Sequence, residues 1–124
     1  MILDIYGKVQ NKKLVFELPF YQFDFSEKIA LKRLVIEWKS HKEKVYGIVK
    51  TNLLDLSSTN YKQQLAGFTK LPMTAVTDID IVNPVYHDIM KLRLDEATFN
   101  IEPMFEKRIP AINNVYLQII TTCE

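Results

Sequence analysis

The sequence predicts an all-β domain, built as a sandwich or a barrel, and three observations lead to this prediction. Apolar residues recur at every second position, the spacing that places alternate side chains on opposite faces of a strand. The same segments are rich in Val, Ile, Tyr, Phe and Thr, which strands favour. Turn-forming residues separate the segments at short intervals, as in sandwiches and barrels.

Length and composition indicate one folded unit. The chain has 124 residues, which predicts a single domain over 1–124. Hydrophobic residues make up 48% and charged residues 25%, far from the composition of disordered chains. The formal net charge is only +1, so no nucleic acid is expected as a partner.

Two segments show the strand pattern most clearly, Leu14–Leu18 and Leu34–Trp38. Further candidate strands are 2–9, 44–51, 64–70, 74–82, 86–94, 97–104 and 114–122. The total is about eight or nine short strands. Two stretches leave a helical alternative open, because 26–34 has a possible Ser26 cap and 61–66 contains good helix formers.

Glycine is scarce, with Gly7, Gly47 and Gly67 the only three in the chain. Tight hairpin turns of the primed types prefer glycine. Several connections are therefore expected to be longer loops or bulges. Gly7 and Gly47 lie inside strand-like segments, where a bulge or a close backbone approach is the usual reason.

Few residues point to catalysis. His41 lies in a charged turn and is expected at the surface. His87 is more informative, because Asp88, or the pair Asp78 and Asp80 on one strand face, can approach it across a sheet and act with it as acid and base. The preferred interpretation is that Asp78 and Asp80 form a solvent face.

Other chemical motifs are lacking in the sequence. There is no Gly-x-Ser-x-Gly motif, no glycine-rich phosphate loop and no metal-ligand spacing, so we expect no enzyme, no metal and no cofactor. Cys123 is the single cysteine and can form no intramolecular disulfide. No signal peptide is visible, and no apolar run approaches the roughly 20 residues that span a bilayer, so no membrane association is expected.

An aromatic run follows the second predicted strand. It comprises Phe20, Tyr21, Phe23 and Phe25, and Pro19 prevents it from pairing as a central strand. The run can belong to the core or to a contact with a neighbouring subunit, because aromatic residues dominate both. The second alternative predicts a homo-oligomer.

A polar connection from Val49 to Leu65 lies between two predicted strands. Thr51-Asn52-Leu53 ends the first strand, Asp55-Leu56-Ser57 and Asn60 follow, and Gln63-Gln64 begins the next. This order resembles small structural proteins of adenovirus-like mobile elements and invertebrate DNA viruses, the polinton and adintovirus group. In that group a strand ending in Ser/Thr-Asn-Leu is followed by a short Asp-x-Ser stretch, an Asn and a Gln-rich re-entry.

Two later elements follow in the order of the same group. Asn83-Pro84-Val85-Tyr86 with Met90–Leu94 is similar to the proline-led strand before the last hairpin, and Asn114–Ile120 is similar to the closing strand. The resemblance covers about residues 30–122. The chain departs from the pattern in its scarce glycine in the late turns and in its acidic pair, Asp78 and Asp80.

The resemblance implies a single jelly roll of eight strands in two sheets, used as a capsid or virion-associated building block, or a host-domesticated descendant of one. It implies no catalysis, and it places the protein in the virion or in the cytoplasm or nucleus of the host cell. The expected partners are copies of itself and other shell proteins. The predicted contact residues come from the aromatic run and the polar connection: Phe20, Tyr21, Phe23, Phe25, Asn52, Asp55, Asn60 and Tyr61.

A different class of function remains open beside assembly. A monomeric β-sandwich can bind a glycan or a peptide by stacking an aromatic side chain on it. The candidate stacking residues are Trp38, Tyr46 and Tyr61.

Overall fold

In the computed structural model, strands form two antiparallel sheets around one hydrophobic core. The structure describes residues 1–39, 45–54, 64–70, 76–104 and 108–122. Their strands are β1 (Ile2–Gln10), β2 (Lys13–Glu17), β3 (Lys28–Trp38), β4 (Val45–Thr51), β5 (Gln64–Lys70), β6 (Val76–Asp80), β7 (His87–Asp88), β8 (Phe99–Pro103) and β9 (Ile112–Thr121), with a 3₁₀ turn at Leu94–Glu96.

The strand order is that of a jelly roll. The larger sheet runs β2-β1-β9-β3-β6, with β7 added beside β3, and the smaller sheet runs β5-β4-β8. The hairpin partners are nested, since β4 pairs with β5, β3 with β6 and β1 with β9. This nesting is what results when one long hairpin is wound around a core. The prediction of an all-β jelly-roll sandwich is confirmed.

Strand β2 departs from the simplest winding, in which it would pair with β8. It pairs instead with β1. Its Phe16 side chain still reaches the smaller sheet, where its ring lies 6.0 Å from the ring of Phe99 in β8. β2 therefore extends the larger sheet while its aromatic side chain helps to close the core.

A bulge in β3 explains why the alternation of apolar residues changes phase inside this strand. Ile29 and Leu31 are buried before the bulge, and Leu34 and Ile36 are buried after it. The register with β9 shifts between Leu31 and Arg33. An extra residue in one strand turns the following side chains to the opposite face.

The β1–β2 turn is a tight hairpin without glycine. Gln10 pairs with Lys13, and the two residues between them, Asn11 and Lys12, have φ values of 50° and 65°. Positive φ at both central residues defines the primed turn that favours glycine. This connection is a primed turn despite the scarcity of glycine, because Asn tolerates this conformation and Lys12 adopts it at a cost.

Gly7 in β1 and Gly47 in β4 are explained by close approach, and neither lies at a bulge. Gly7 pairs directly with Phe16, and Gly47 pairs directly with Phe68. A Cβ atom on Gly7 would lie 2.8 Å from the Phe16 ring, and one on Gly47 would lie too close to the Phe68 ring for any side chain. Each aromatic ring therefore covers the glycine opposite it.

Two sequence expectations differ from the structure. The helical alternative for 26–34 is wrong, because β3 begins at Lys28, and in 61–66 the residues described from Gln64 onwards are strand. The predicted strand 86–94 shortens to His87–Asp88. Beyond it the backbone bonds to neighbouring connections, as Met90 N–H does to Leu53 C=O at 2.6 Å, so no further ladder forms.

Candidate functional site

The described parts of the two predicted contact segments lie at one end of the sandwich. Segments 18–27 and 52–54 are each hydrogen-bonded to the connection 81–98, and we call these three segments the connection end. The Phe23 N–H donates to Leu92 C=O at 2.6 Å, and the Leu94 N–H donates to Tyr21 C=O at 2.9 Å. Leu54 forms an isolated bridge with Ile89 on the other side. The structure thus brings together residues that are distant in sequence.

The Thr51-Asn52-Leu53 motif shapes the exit from β4. The buried Thr51 hydroxyl accepts a hydrogen bond from the Leu53 N–H at 3.2 Å. The Asn52 side-chain oxygen accepts one from the Thr98 N–H at 2.8 Å, which ties this exit to the start of β8. Leu53 itself is fully buried. Asn52 therefore has a structural role, while the predicted contact residues Asp55, Asn60 and Tyr61 lie outside the described residues.

A buried carboxylate organises the aromatic run. The Glu27 side chain is only 6% exposed and accepts hydrogen bonds from the Tyr21 hydroxyl, at 3.1 and 3.2 Å, and from the Asp24 N–H, at 3.1 Å. The Glu27 N–H donates back to Asp24 C=O at 3.1 Å, which closes a turn over 24–27. Sequence reasoning missed this role. Its only signal is an acidic residue between an aromatic run and an apolar strand.

The four aromatic residues divide into anchors and exposed rings. Phe23 is 2% exposed and contacts Tyr21 edge to face, with ring centroids 4.8 Å apart. Phe23 therefore belongs to the core, which corrects its selection as a contact residue. Phe25, at the tip of the 24–27 turn, is 90% exposed, and Phe20 is 73% exposed.

The connection 81–98 adds further exposed apolar side chains to this end. Val82, Val85, Tyr86 and Met90 are all exposed. Arg93 lies over the Phe20 ring at 5.6 Å and is itself held by Asp95, at 2.7 Å. Exposed apolar side chains concentrated on connected segments are typical of interaction sites.

The candidate acid–base group is not assembled. Asp78 lies 2.6 Å from Arg33 and Asp80 lies 3.3 Å from Lys32, all four on the outer face of the larger sheet, the face turned away from the core. Arg33 donates a hydrogen bond to Asp78 and thereby lowers the pKa of that carboxyl. The interpretation of Asp78 and Asp80 as a solvent face is confirmed.

His87 lies away from these carboxylates. It pairs with Ile29 of β3, whereas Asp80 pairs with Arg33. Because a strand advances about 3.3 Å per residue, roughly 10–13 Å separate the two positions along β3. The neighbouring Asp88 forms an ion pair with Lys28 at 3.7 Å.

Of the three candidate stacking residues, the structure exposes one, buries one and does not describe the third. Trp38 is buried, and its indole N–H donates to the Thr77 hydroxyl at 2.7 Å, so its ring is not available to a ligand. Tyr46 is exposed on β4 of the smaller sheet. Tyr61 lies outside the described residues.

The described part of the chain shows neither a metal-binding group of side chains nor a membrane-spanning helix. Its His, Cys, Asp and Glu side chains form no group of three or more that could hold a metal ion, and His41 and Cys123 lie outside it. It also contains no helix long and apolar enough to cross a membrane. Comparisons with protein-family models, with curated proteins and with solved structures found no match.

Proposed function

We propose that this chain is a non-enzymatic structural protein, a jelly-roll building block of a capsid or virion-associated shell of the polinton and adintovirus kind. It associates with copies of itself through the connection end. The observation that carries the proposal is Phe25, 90% exposed at the tip of a turn that the buried Glu27 carboxylate holds in place. Jelly rolls recur in viral capsid proteins.

The fixed turn favours association for an entropic reason. Ordering a loop on binding costs free energy, and a loop that is already ordered avoids this cost. The Phe23 and Leu94 backbone hydrogen bonds hold the aromatic run against the connection 81–98 before any partner arrives. Phe20 and Phe25 therefore present their rings from an ordered backbone.

The amount of apolar surface is also consistent with a protein contact. A specific interface buries about 800 Å² on each partner. A buried Phe contributes roughly 150–250 Å², so Phe20 and Phe25 alone supply about half of this area. Val85, Tyr86 and Met90, on the adjoining connection, are exposed and can supply more.

The non-enzymatic part of the proposal is supported by the pairing of the candidate catalytic carboxylates. Asp78 and Asp80 are each occupied by a cation on the adjacent strand. Both lie far from His87 along β3. The catalytic alternative therefore has no assembled group among the described residues.

Association is tested by sedimentation velocity over a concentration series. We expect the natural protein to form oligomers, and we expect a Phe20→Ser/Phe25→Ser variant to remain monomeric at concentrations where the natural protein associates. The matched control is Val9→Thr/Val15→Thr, which changes two exposed apolar side chains on the β1–β2 hairpin. This control should associate like the natural protein.

Thermal unfolding of all three proteins separates loss of association from loss of folding. A natural protein that stays monomeric throughout the series contradicts the proposal. So does a folded Phe20→Ser/Phe25→Ser variant that associates as strongly as the natural protein.

A further inference from the structure

A groove of ≈ 290 Å³ lies on the outer face of the larger sheet, away from the connection end. Two neighbouring rows of side chains, running across the strands, form its sides. One row contains Tyr6 of β1 beside Tyr116 of β9. The next contains Lys8, Asn114 and Glu37, in which the short Asn114 side chain lies between two longer ones and leaves a depression.

The aromatic side of the groove is held in place before any ligand binds. The rings of Tyr6 and Tyr116 are stacked, with centroids 5.0 Å apart and planes 26° apart. The Tyr116 hydroxyl donates to the Asp4 carboxylate at 2.5 Å and accepts from the Gln118 side-chain amide at 3.1 Å. Tyr6 is 58% exposed, so its ring offers a flat apolar surface on a fixed support.

The polar side carries hydrogen-bonding groups that are not used within the described part of the chain. Lys8 and Asn114, and Glu17 at the end of the groove, have no side-chain hydrogen bond or ion pair there. Glu37 accepts one hydrogen bond, from Asn113 at 3.3 Å. Donors and acceptors of both charge signs therefore face the tyrosine pair.

We infer that this groove binds a neutral saccharide of one or two units. A pyranose ring has an apolar C–H face and a rim of hydroxyl groups, each of which donates and accepts. The exposed part of the Tyr6 ring, supported from behind by Tyr116, matches the apolar face, while Lys8, Asn114 and Glu37 match the hydroxyl rim. The volume of ≈ 290 Å³ lies just below the roughly 300–1,000 Å³ of ligand pockets, which favours a small ligand.

An extended peptide fits this surface less well. Peptides that bind to sheets usually add a strand at an edge with unpaired backbone groups. The groove lies over β1, β9 and β3, and each of these strands is paired on both sides. The ligand must therefore be recognised through side chains alone, as the hydroxyl groups of a sugar are.

The inference is independent of the proposed assembly. The groove and the connection end have no residue in common. Either surface can fail its test without affecting the other.

The test is a titration of ¹⁵N-labelled protein with glucose, galactose, mannose, N-acetylglucosamine and lactose, followed by NMR. We expect at least one of these sugars to shift the amide signals of Gly7, Lys8 and Asn114 in a saturable manner. Tyr6→Ala should weaken that binding by about tenfold or more, because the stacking surface is lost. Tyr6→Phe should retain it.

The matched control is Tyr86→Ala, which removes an exposed tyrosine from the connection 81–98 and should leave binding unchanged. The inference is overturned if none of the five sugars shifts these amides. It is equally overturned if Tyr6→Ala binds as well as the natural protein, or if Tyr86→Ala weakens binding to the same extent as Tyr6→Ala.

Discussion

The short turn between β1 and β2 and the segments of the connection end are built in opposite ways. A two-residue turn, Asn11-Lys12, joins β1 to β2, and both residues are exposed. At the connection end longer segments cross the core, and they bury Phe23, Leu54 and Leu94. The longer connections therefore form a packed layer, whereas the short turn carries unfavourable backbone angles. The side chains that stay exposed at the connection end therefore extend from a hydrogen-bonded backbone.

The sharpest contrast within the connection end is between two phenylalanines of one segment. Phe23→Ala should lower the free energy of unfolding by about 3–5 kcal/mol, because it leaves a cavity in the core. Phe25→Ala should change it by no more than about 0.5 kcal/mol, because the ring is exposed. Urea unfolding of the two variants measures both values. If both variants lose the same free energy of unfolding, Phe23 is not a buried anchor and Phe25 is not an exposed tip.

The buried carboxylate at this end is expected to have the next largest effect. Glu27→Ala leaves the Tyr21 hydroxyl and the Asp24 N–H without their acceptor, which should cost about 1–3 kcal/mol of stability. Glu17→Ala serves as control, because Glu17 is exposed and should change stability by about 0.5 kcal/mol or less. If Glu27→Ala is as stable as the control in urea unfolding, the carboxylate does not hold the turn.

In the β1–β2 turn a substitution should stabilise the protein. Lys12→Gly removes the cost of a left-handed conformation at a residue with a side chain, a gain of about 1 kcal/mol. Lys13→Gly, one residue further in β2, should instead destabilise by roughly 0.5–1 kcal/mol. Thermal unfolding of the two variants gives the comparison, and a lower melting temperature for Lys12→Gly would contradict the primed turn.

Tyr116 lies at the centre of the larger sheet, and its contribution to the stability of the fold should change only at high pH. The hydrogen bond that Tyr116 donates to Asp4, together with partial burial, raises the pKa of Tyr116 to about 12 from its usual value of 10.0. A raised pKa stabilises the folded state below pH 10, and this contribution is lost as the pH rises through about 12.

Ultraviolet titration of tyrosine ionisation should therefore show a late-titrating group that Tyr116→Phe removes. Tyr46→Phe should leave that late group in place. A titration in which all tyrosines ionise together near pH 10 would contradict the hydrogen bond to Asp4.

Much of the fold follows from local patterns, because period-two alternation depends only on neighbouring residues. It predicts strand β5 at 64–70 with the observed bounds, and it places β4 and β9 to within two residues at each end. The sequence places a turn at Gln10-Asn11 between two predicted strands, but its primed type was not predicted because Asn11-Lys12 lacks glycine. The segment 86–94 was read as one strand because β-favouring residues do not show that its backbone bonds to other connections.

The two candidate surfaces were less accessible to sequence reasoning, because they depend on contacts between distant segments. The sequence identifies the aromatic run but does not show that Phe23 faces inward and Phe25 outward. The tyrosine groove was missed because Tyr6 and Tyr116 lie at opposite ends of the chain and meet only when β1 pairs with β9. In a jelly roll the first and last long strands are paired. With that pairing assumed, the outward-facing residues of the two strands would have indicated the groove.

The most direct test of assembly through the connection end is photochemical cross-linking from the position of Phe25. A photoreactive phenylalanine analogue at this position, irradiated at concentrations where the protein associates, should give cross-linked dimers. Mass spectrometry should locate the links in segment 18–27 or 81–98 of the second copy. The same analogue at Val15, on the hairpin, should give few links between chains. Links from position 25 that stay within one chain, or that are no more frequent than those from position 15, would contradict the account.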